Sequence, residues 1–133
     1  MNQPKLFCAN MTSMTDLELK IYQLVRQIPR GKVCTYKIIA QQAGNEKLAR
    51  VVGNVMHKNP LPYYELARQL GFSVSDYSAP DFAPVPCHRV VNSSGKMGSN
   101  FGLGGPQVQS AMLQSEGVTV QSEKVNLSQF LWQ

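Results

Sequence analysis

The chain places a cysteine directly beside a histidine, in the segment Pro86-Cys87-His88-Arg89-Val90. A cysteine is a strong nucleophile only as a thiolate, and a neighbouring base or positive charge lowers its pKa from about 8.5 into the working range. The pair therefore indicates an activated thiol. Adjacency alone is weak evidence, because cysteine is often a small core residue, and a buried Cys87 next to a surface histidine is the alternative.

The sequence offers no metal-binding pattern around this pair. It contains neither the Cys-x-x-Cys nor the His-x-x-x-His spacing that would complete a zinc site. The other two cysteines, Cys8 and Cys34, lie far from Cys87 in sequence, and an odd number at wide spacing argues against a disulfide framework. We therefore expect free thiols, a reducing compartment, and neither a metal nor a cofactor.

Length and composition favour a single domain. The chain has 133 residues, of which 43% are hydrophobic and 16% charged, and no apolar run approaches the ~18 residues that a membrane span needs. Residues 1–15 show neither an export nor an organelle signal. We expect a flexible lead-in over 1–14 and one domain over 15–133, in a monomeric intracellular protein of the cytoplasm or nucleus that does not contact membranes.

The positive charge is concentrated in the first half of the chain. Residues 1–60 carry nine Lys or Arg against three Asp or Glu, whereas residues 61–133 carry four against five. A basic surface favours a polyanion as partner, since neutralised phosphates release counterions. A solvated basic face that serves solubility is the alternative.

Hydrophobic periodicity in the first half predicts a helix-turn-helix. Thr15 can cap a first helix whose apolar positions continue to Ile28 at spacings of three and four. A short strand over 32–35 precedes the two helices of the motif, which are predicted over 36–42 and 46–57 with Gly44 in the turn between them.

The second helix of that motif carries polar residues on its outer side. In a DNA-binding helix-turn-helix the second helix enters a groove with its N-terminal half facing the bases. Lys47, Arg50 and Asn54 occupy outward positions there. A helical hairpin that merely packs in the domain is the alternative.

Four segments together show that the sequence resembles the O6-alkylguanine-DNA alkyltransferases over roughly residues 15–118. They occur in the family's order, and the Pro-Cys-His-Arg-Val signature is highly specific in this context. The segments are Gly31-Lys32-Val33-Cys34-Thr35-Tyr36, residues 49–56 (Ala-Arg-Val-Val-Gly-Asn-Val-Met), residues 86–91 (Pro-Cys-His-Arg-Val-Val) and Ser115-Glu116-Gly117-Val118.

The resemblance implies a catalytic group of four residues. Cys87 corresponds to the thiolate that accepts an alkyl group from guanine O6, and His88 to the base, which acts in the family through a water. Glu116 corresponds to the acid that orients the imidazole. Asn59 matches the asparagine that braces the active-site turn.

The resemblance also implies how DNA is held. Tyr36 corresponds to the tyrosine that contacts the backbone phosphate and the extruded base, and Arg50 to the side chain that fills the vacated stack. The base pocket is expected to be walled by Val90 and by the loop 95–105. In that loop the family's Tyr-Ser-Gly-Gly is replaced by Phe101-Gly102-Leu103-Gly104-Gly105, so Ser99 is the hydroxyl that could serve instead.

The implied fold is α/β and mostly α, a single small domain like the C-terminal DNA-binding domain of the family. The implied function is DNA repair: a methylated-DNA–protein-cysteine methyltransferase that flips O6-alkylguanine out of double-stranded DNA and takes its alkyl group irreversibly, in one turnover and without a cofactor. A transcription regulator that uses the helix-turn-helix to prefer a particular sequence is a further alternative.

The other reading within the family is a lesion-binding protein. The short architecture and the tail 125–132, similar to Asn-Leu-x-x-aromatic-x-Trp, resemble the alkyltransferase-like proteins, which bind O6-alkylguanine and flag it for another repair pathway. Other repair proteins would then be partners. Those proteins usually have Trp at the position of Cys87, whereas this chain retains the nucleophile.

An insertion separates Asn59 from Cys87. The family joins these positions by a few residues, whereas roughly twenty more are present here, well beyond the usual connection length. Residues 63–70 are predicted to form a short helix closed by Gly71, followed by a loop to Pro84. The inserted segment, residues 63–83, could be a lid, a DNA contact or an unstructured insertion.

Overall fold

The computed structural model describes residues 15–59, 62–73, 84–98 and 101–132. The expected lead-in over 1–14 and the second part of the inserted segment, residues 74–83, lie outside them. The described residues form a mostly helical domain with two short strand pairs, as expected. Its elements are α1 (Asp16–Val25), β1 (Cys34–Thr35), α2 (Tyr36–Ala43), α3 (Ala49–His57), α4 (Tyr64–Gln69), β2 (Val90–Val91), α5 (Pro106–Ser115), β3 (Val120–Gln121), β4 (Lys124–Val125) and α6 (Leu127–Phe130).

Helix α1 begins with a reciprocal cap. The Glu18 amide donates to the Thr15 hydroxyl at 3.1 Å, and the Thr15 amide donates to the Glu18 carboxylate at 2.9 Å, so two backbone donors at the helix start are satisfied. The helix ends at Val25, earlier than its periodicity predicts. Ile28 is nevertheless buried, because tighter three-residue hydrogen bonds continue the turn beyond the helix.

The helix-turn-helix is present, with one difference from the prediction. The Thr35 hydroxyl caps α2, and Gly44 ends it at a φ of 127°. The second helix was expected to be continuous over 46–57, but Glu46–Leu48 forms a 3-10 turn before α3. The Asn45 side chain accepts from the Lys47 amide at 2.9 Å, and this local cap shapes the turn before the α-helix begins.

Strand pairing joins the basic half of the chain to the segment after Cys87. Strands β1 and β2 are parallel, with Cys34 opposite Val90. Next to β1, the Val33 amide donates to the Phe130 carbonyl at 3.0 Å, and the Trp132 amide donates to the Val33 carbonyl at 2.8 Å. The tail 125–132 therefore pairs beside β1, at Val33, as a third segment next to the β1–β2 pair.

The short helix predicted in the inserted segment is present as α4. It ends near Gly71, whose φ of +93° is the left-handed conformation that glycine adopts readily. Ala67 of α4 packs with Val108 and Met112 of α5. The first part of the insertion is thus docked onto the helix that leads to Glu116.

Within the described ranges, no helix is long and apolar enough to cross a bilayer.

Candidate active site

Cys87 opens a 3-10 turn, Cys87–Arg89, between Pro86 and β2. Only 4% of the residue is exposed. This burial raises the pKa of the thiol to about 11, and a hydrogen bond from the Asn59 side chain acts in the opposite direction. The sulfur is therefore protonated at neutral pH, and its reaction requires a base that removes the proton as the new bond forms.

His88 and Arg89 share one buried carboxylate. The Nε2 atom of His88 lies 3.1 Å from Oε1 of Glu116. Arg89 donates from Nε to Oε1 at 3.0 Å and from Nη2 to Oε2 at 2.6 Å, which is the two-pronged geometry that a guanidinium favours. Burial by itself would raise the pKa of Glu116, but the hydrogen bonds from His88 and Arg89 lower it to about 2.

This arrangement fixes the tautomer of the imidazole. Burial lowers the pKa of His88, in spite of the opposing hydrogen bond to Glu116, so the ring is neutral. An ionised carboxylate only accepts hydrogen bonds, so the proton of neutral His88 must lie on Nε2. The Nδ1 atom then carries a lone pair, and it has no hydrogen-bond partner among the described residues. His88 can therefore accept a proton at Nδ1.

Asn59 reaches the thiol despite the insertion. Its side-chain amide donates to the Val85 carbonyl at 3.0 Å, two residues before Cys87, and also forms a hydrogen bond with the thiol. The Cys87 amide in turn donates to the Val85 carbonyl at 2.8 Å. The extra chain length is accommodated elsewhere, and the two positions remain in contact.

A cavity of about 400 Å³ leads from the helix-turn-helix to the thiol. It is lined by Tyr36 at the start of α2, by the exposed Arg50 and Asn54 of α3, and by Phe101. Burial raises the pKa of the Tyr36 phenol, and the nearby Cys87 acts in the same direction, so this hydroxyl remains a hydrogen-bond donor.

A second cavity, of about 300 Å³, shares Met56, His57 and Cys87 with the first. Its lining includes His57, Tyr64, Gly102 and Leu103, so the inserted segment and the loop 95–105 both contribute to it. Gly102 lies so close to the His57 carbonyl that a Cβ atom there would be 2.9 Å from the oxygen. In this loop, where the family has a serine, the backbone of Gly102 therefore closely approaches the His57 carbonyl.

Three residues expected at the site do not line these cavities or are not among the residues that the structure describes. Val90 lines neither of these two cavities: it is fully buried in β2 opposite Cys34, and it belongs to the core cluster that also contains Cys87. Lys47 is exposed in the 3-10 turn and lines neither cavity. Ser99 lies outside the described residues.

Two residues that sequence reasoning gave no role hold the site together. Arg89 neutralises Glu116 and also donates to the Ile28 carbonyl at 2.9 Å. Gln109 is buried on α5 and donates to the His88 carbonyl at 3.1 Å and to the Val90 carbonyl at 2.9 Å. Gln109 could have been found from the sequence as a polar residue on the apolar face of a helix. Buried polar groups are nearly always hydrogen-bonded, so such a residue indicates a buried partner.

The described part of the chain contains no cluster of three or more His, Cys, Asp or Glu side chains that could hold a metal ion.

The free energy of unfolding should fall in acid in two steps. The folded pKa of His88 lies below its ordinary value of 6.5, so protonation favours the unfolded chain as pH falls below 6.5. The folded pKa of Glu116 is about 2 against 4.5, so its contribution, present above pH 4.5, is lost as pH falls towards 2. Urea unfolding at pH 7.5, 5.5 and 3.5 measures both steps, and in His88→Gln the first step should be absent. Equal stability of the unmodified chain at pH 7.5 and 3.5 would contradict this account.

Comparison with known proteins identifies similar chains. A family model, "6-O-methylguanine DNA methyltransferase, DNA binding domain", matches residues 16–118. The rat methylated-DNA–protein-cysteine methyltransferase is 32% identical over 98 residues, which is 74% of this chain and 37% of the rat protein. Alkyltransferase-like protein 1 of Schizosaccharomyces pombe is 32% identical over 125 residues, 90% of this chain and 96% of the yeast protein. The chain thus spans about a third of the length of the rat relative and nearly all of the yeast one.

Solved structures match in the same way. The crystal structure of S. pombe Atl1 with damaged DNA containing O6-carboxymethylguanine has a TM-score of 0.63 at 31% identity, covering 88% of this chain and 94% of Atl1. The Mycobacterium tuberculosis OGT complex with DNA has a TM-score of 0.56 at 30% identity, covering 77% of this chain and 49% of OGT.

Proposed function

Because the chain belongs to the O6-methylguanine-DNA methyltransferase family, we propose that it repairs DNA by transferring an O6-alkyl group from guanine to Cys87. The observation that carries the proposal is the position of the thiol. The buried Cys87 lines a cavity that Tyr36 and Arg50 also border, and the next residue is a neutral histidine oriented by Glu116. A base delivered from the helix-turn-helix would therefore meet the nucleophile.

Double-stranded DNA is the proposed partner. The structural neighbours with 30% and 31% identity were solved with DNA, and one of those DNAs contains an O6-alkylated guanine. Arg50 is exposed near the start of α3, where a recognition helix contacts DNA. All the site residues named above belong to one chain, so we propose that the protein acts as a monomer. Because its substrate is DNA, we propose that it acts in the compartment that contains the DNA, the cytoplasm or the nucleus.

Guanine O6 is inside the stacked duplex, so the nucleotide must rotate outwards before it can react. Unstacking and unpairing cost a few kcal/mol, and less for a damaged base. Insertion of Arg50 into the vacated space and phosphate contacts would offset this cost. The Tyr36 hydroxyl, which remains protonated, can donate to the extruded base.

The chemistry is a displacement at the alkyl carbon. As the Cys87 sulfur attacks, its proton passes to Nδ1 of His88, in this family through a water, and Glu116 stabilises the resulting imidazolium. The carbon–oxygen bond breaks, its electron pair remains on guanine O6, and the restored guanine takes up a proton. The product is a thioether, which has no good leaving group under mild conditions, so we propose one transfer per molecule without a cofactor.

A lesion-binding protein that flags O6-alkylguanine for other repair proteins is the second candidate. It is favoured by the match to alkyltransferase-like protein 1 over 96% of that protein's length. The residues that would bind and extrude the base are the same in both proposals. They differ only in whether Cys87 reacts.

One assay separates the two candidates. The protein is incubated with a duplex containing O6-methylguanine, its intact mass is measured, and the modified peptide is mapped. Transfer predicts a gain of one methyl group in place of hydrogen, on the peptide that contains Cys87, with at most one equivalent consumed. Tight lesion binding with an unchanged mass supports the lesion-binding protein, whereas preference for a particular undamaged sequence supports a regulator.

A further inference from the structure

The first residue of the inserted segment, Tyr63, lies against the candidate active site. Its ring centroid is 5.1 Å from that of His88, with the ring planes inclined at 56°. The guanidinium carbon of Arg89 lies 5.1 Å from the same Tyr63 centroid. Tilted ring pairs and cations over rings are both favourable at such distances. Tyr63 therefore contacts both residues that bind Glu116.

The fold holds this ring in place. Tyr63 immediately precedes α4 and is half-buried, and it packs beside Ala67, Val108 and Met112. The latter two belong to α5, the helix that ends just before Glu116. The aromatic ring and the carboxylate that flank His88 are thus both positioned by α5.

The surroundings of His88 show what the ring can do. Its imidazole is fully buried, and among the residues that the structure describes the titratable or charged groups next to it are Glu116, Arg89, Tyr63 and the neighbouring Cys87. Glu116 holds the Nε2 edge, but one hydrogen bond leaves the ring free to tilt about it. A packed aromatic ring restricts that tilt and shields the face of the imidazole from bulk solvent.

We propose that Tyr63 is a positioning residue for alkyl transfer, which acts through His88 by fixing the imidazole and shielding its ring face from bulk solvent, while the Nδ1 atom stays open to a single bridging water. This inference rests on the proposed function. It gives the inserted segment a role in the site, at the position where the insertion begins. Tyr63 need not touch the substrate.

The first test compares Tyr63→Leu with Tyr63→Phe. Leucine removes the ring, so we expect the transfer rate to fall by about 10-fold to 100-fold, as misplaced groups commonly cause. Phenylalanine keeps the ring and loses only the hydrogen bond between the Tyr63 hydroxyl and Arg89, so its rate should lie much closer to that of the unmodified chain than to that of Tyr63→Leu. The dissociation constant for the lesion duplex should change less than about twofold in both variants, because Tyr63 acts on the reaction step.

The second test does not depend on activity. The chain has two histidines, so the His88 ring signal in an NMR titration is the one missing from His88→Gln. Burial lowers the pKa of His88, and admitting water in Tyr63→Leu should move its titration midpoint upwards, while Tyr63→Phe should leave it unchanged. The pH profile of transfer should shift with the midpoint.

Leu127→Ala is the control for lost stability, since Leu127 packs on the separate core cluster around Val125 and Phe130. It should lower the melting temperature without moving the His88 midpoint. An unchanged midpoint in Tyr63→Leu, or the same shift in Leu127→Ala, overturns the inference, and so does a Tyr63→Phe variant that behaves like Tyr63→Leu. If the unmodified chain forms no thioether, the proposed function fails, while the His88 titration still decides the role of Tyr63.

Discussion

Replacing Cys87 by serine is expected to abolish alkyl transfer and to leave lesion binding within about threefold. Serine is nearly the same size as cysteine, so the turn around Cys87 should be preserved. Its hydroxyl is a far weaker nucleophile than a thiol when the available base is a neutral histidine. Intact mass after incubation with O6-methylguanine duplex measures transfer, and fluorescence anisotropy with the same duplex measures affinity.

Cys34→Ser is the matched control for that experiment. Cys34 is a completely buried thiol in β1, opposite Val90, and burial raises its pKa. It should remain unmodified, and its replacement should leave transfer at Cys87 intact although it lowers stability. Methylation that persists in Cys87→Ser would place the acceptor elsewhere.

Replacing Glu116 by glutamine is expected to have the largest combined effect on the free energy of unfolding and on the rate of alkyl transfer. The variant leaves the buried Arg89 without its counter-ion, and removal of one partner from such a pair costs about 3–5 kcal/mol. Only 3% of the Glu116 side chain is exposed, so solvent cannot compensate. Transfer should also slow by about 10²-fold or more, because the imidazolium formed at His88 loses its stabilising charge.

Stability and chemistry can be separated in a double variant. Adding Arg89→Met to Glu116→Gln removes the second charge, so part of the lost stability should return while the transfer rate stays low. Urea unfolding and single-turnover kinetics below the melting temperature measure the two quantities. The exposed Glu123→Gln should change neither. Recovery of transfer in the double variant would show that Glu116 acts only through the fold.

The sequence predicts the helix-turn-helix and α4 well, because their caps and periodicity are local. Thr35 and Gly44 specify where α2 begins and ends without help from the rest of the chain. The 3-10 turn Glu46–Leu48 before α3 was not predicted. It forms because the Asn45 side chain caps it, and the sequence pattern is equally compatible with a continuous helix. This turn also moved Lys47 out of the helix expected to carry it.

Residue types and periodicity pointed to Cys87, His88 and Arg50, but the remaining site residues were predictable only where the family resemblance named them. The resemblance put Glu116 beside His88, and the structure agrees with that pairing. It gave no sign that Arg89 would bind the same carboxylate from 27 residues away, since partners of buried charges are chosen by tertiary packing. Val90 is buried in the core cluster beside Cys87, and its sequence position next to the reactive turn does not distinguish a place in the core from a place in a pocket wall.

The strand contacts of Val33 have a consequence for folding. Its two backbone hydrogen bonds are to Phe130 and Trp132, almost a hundred residues later in the sequence. The ends of these contacts must meet across most of the chain, and such non-local pairing slows folding. We therefore expect docking of residues 130–132 onto Val33 to be a late step of folding, whereas α2, whose caps at Thr35 and Gly44 are local, can form before it.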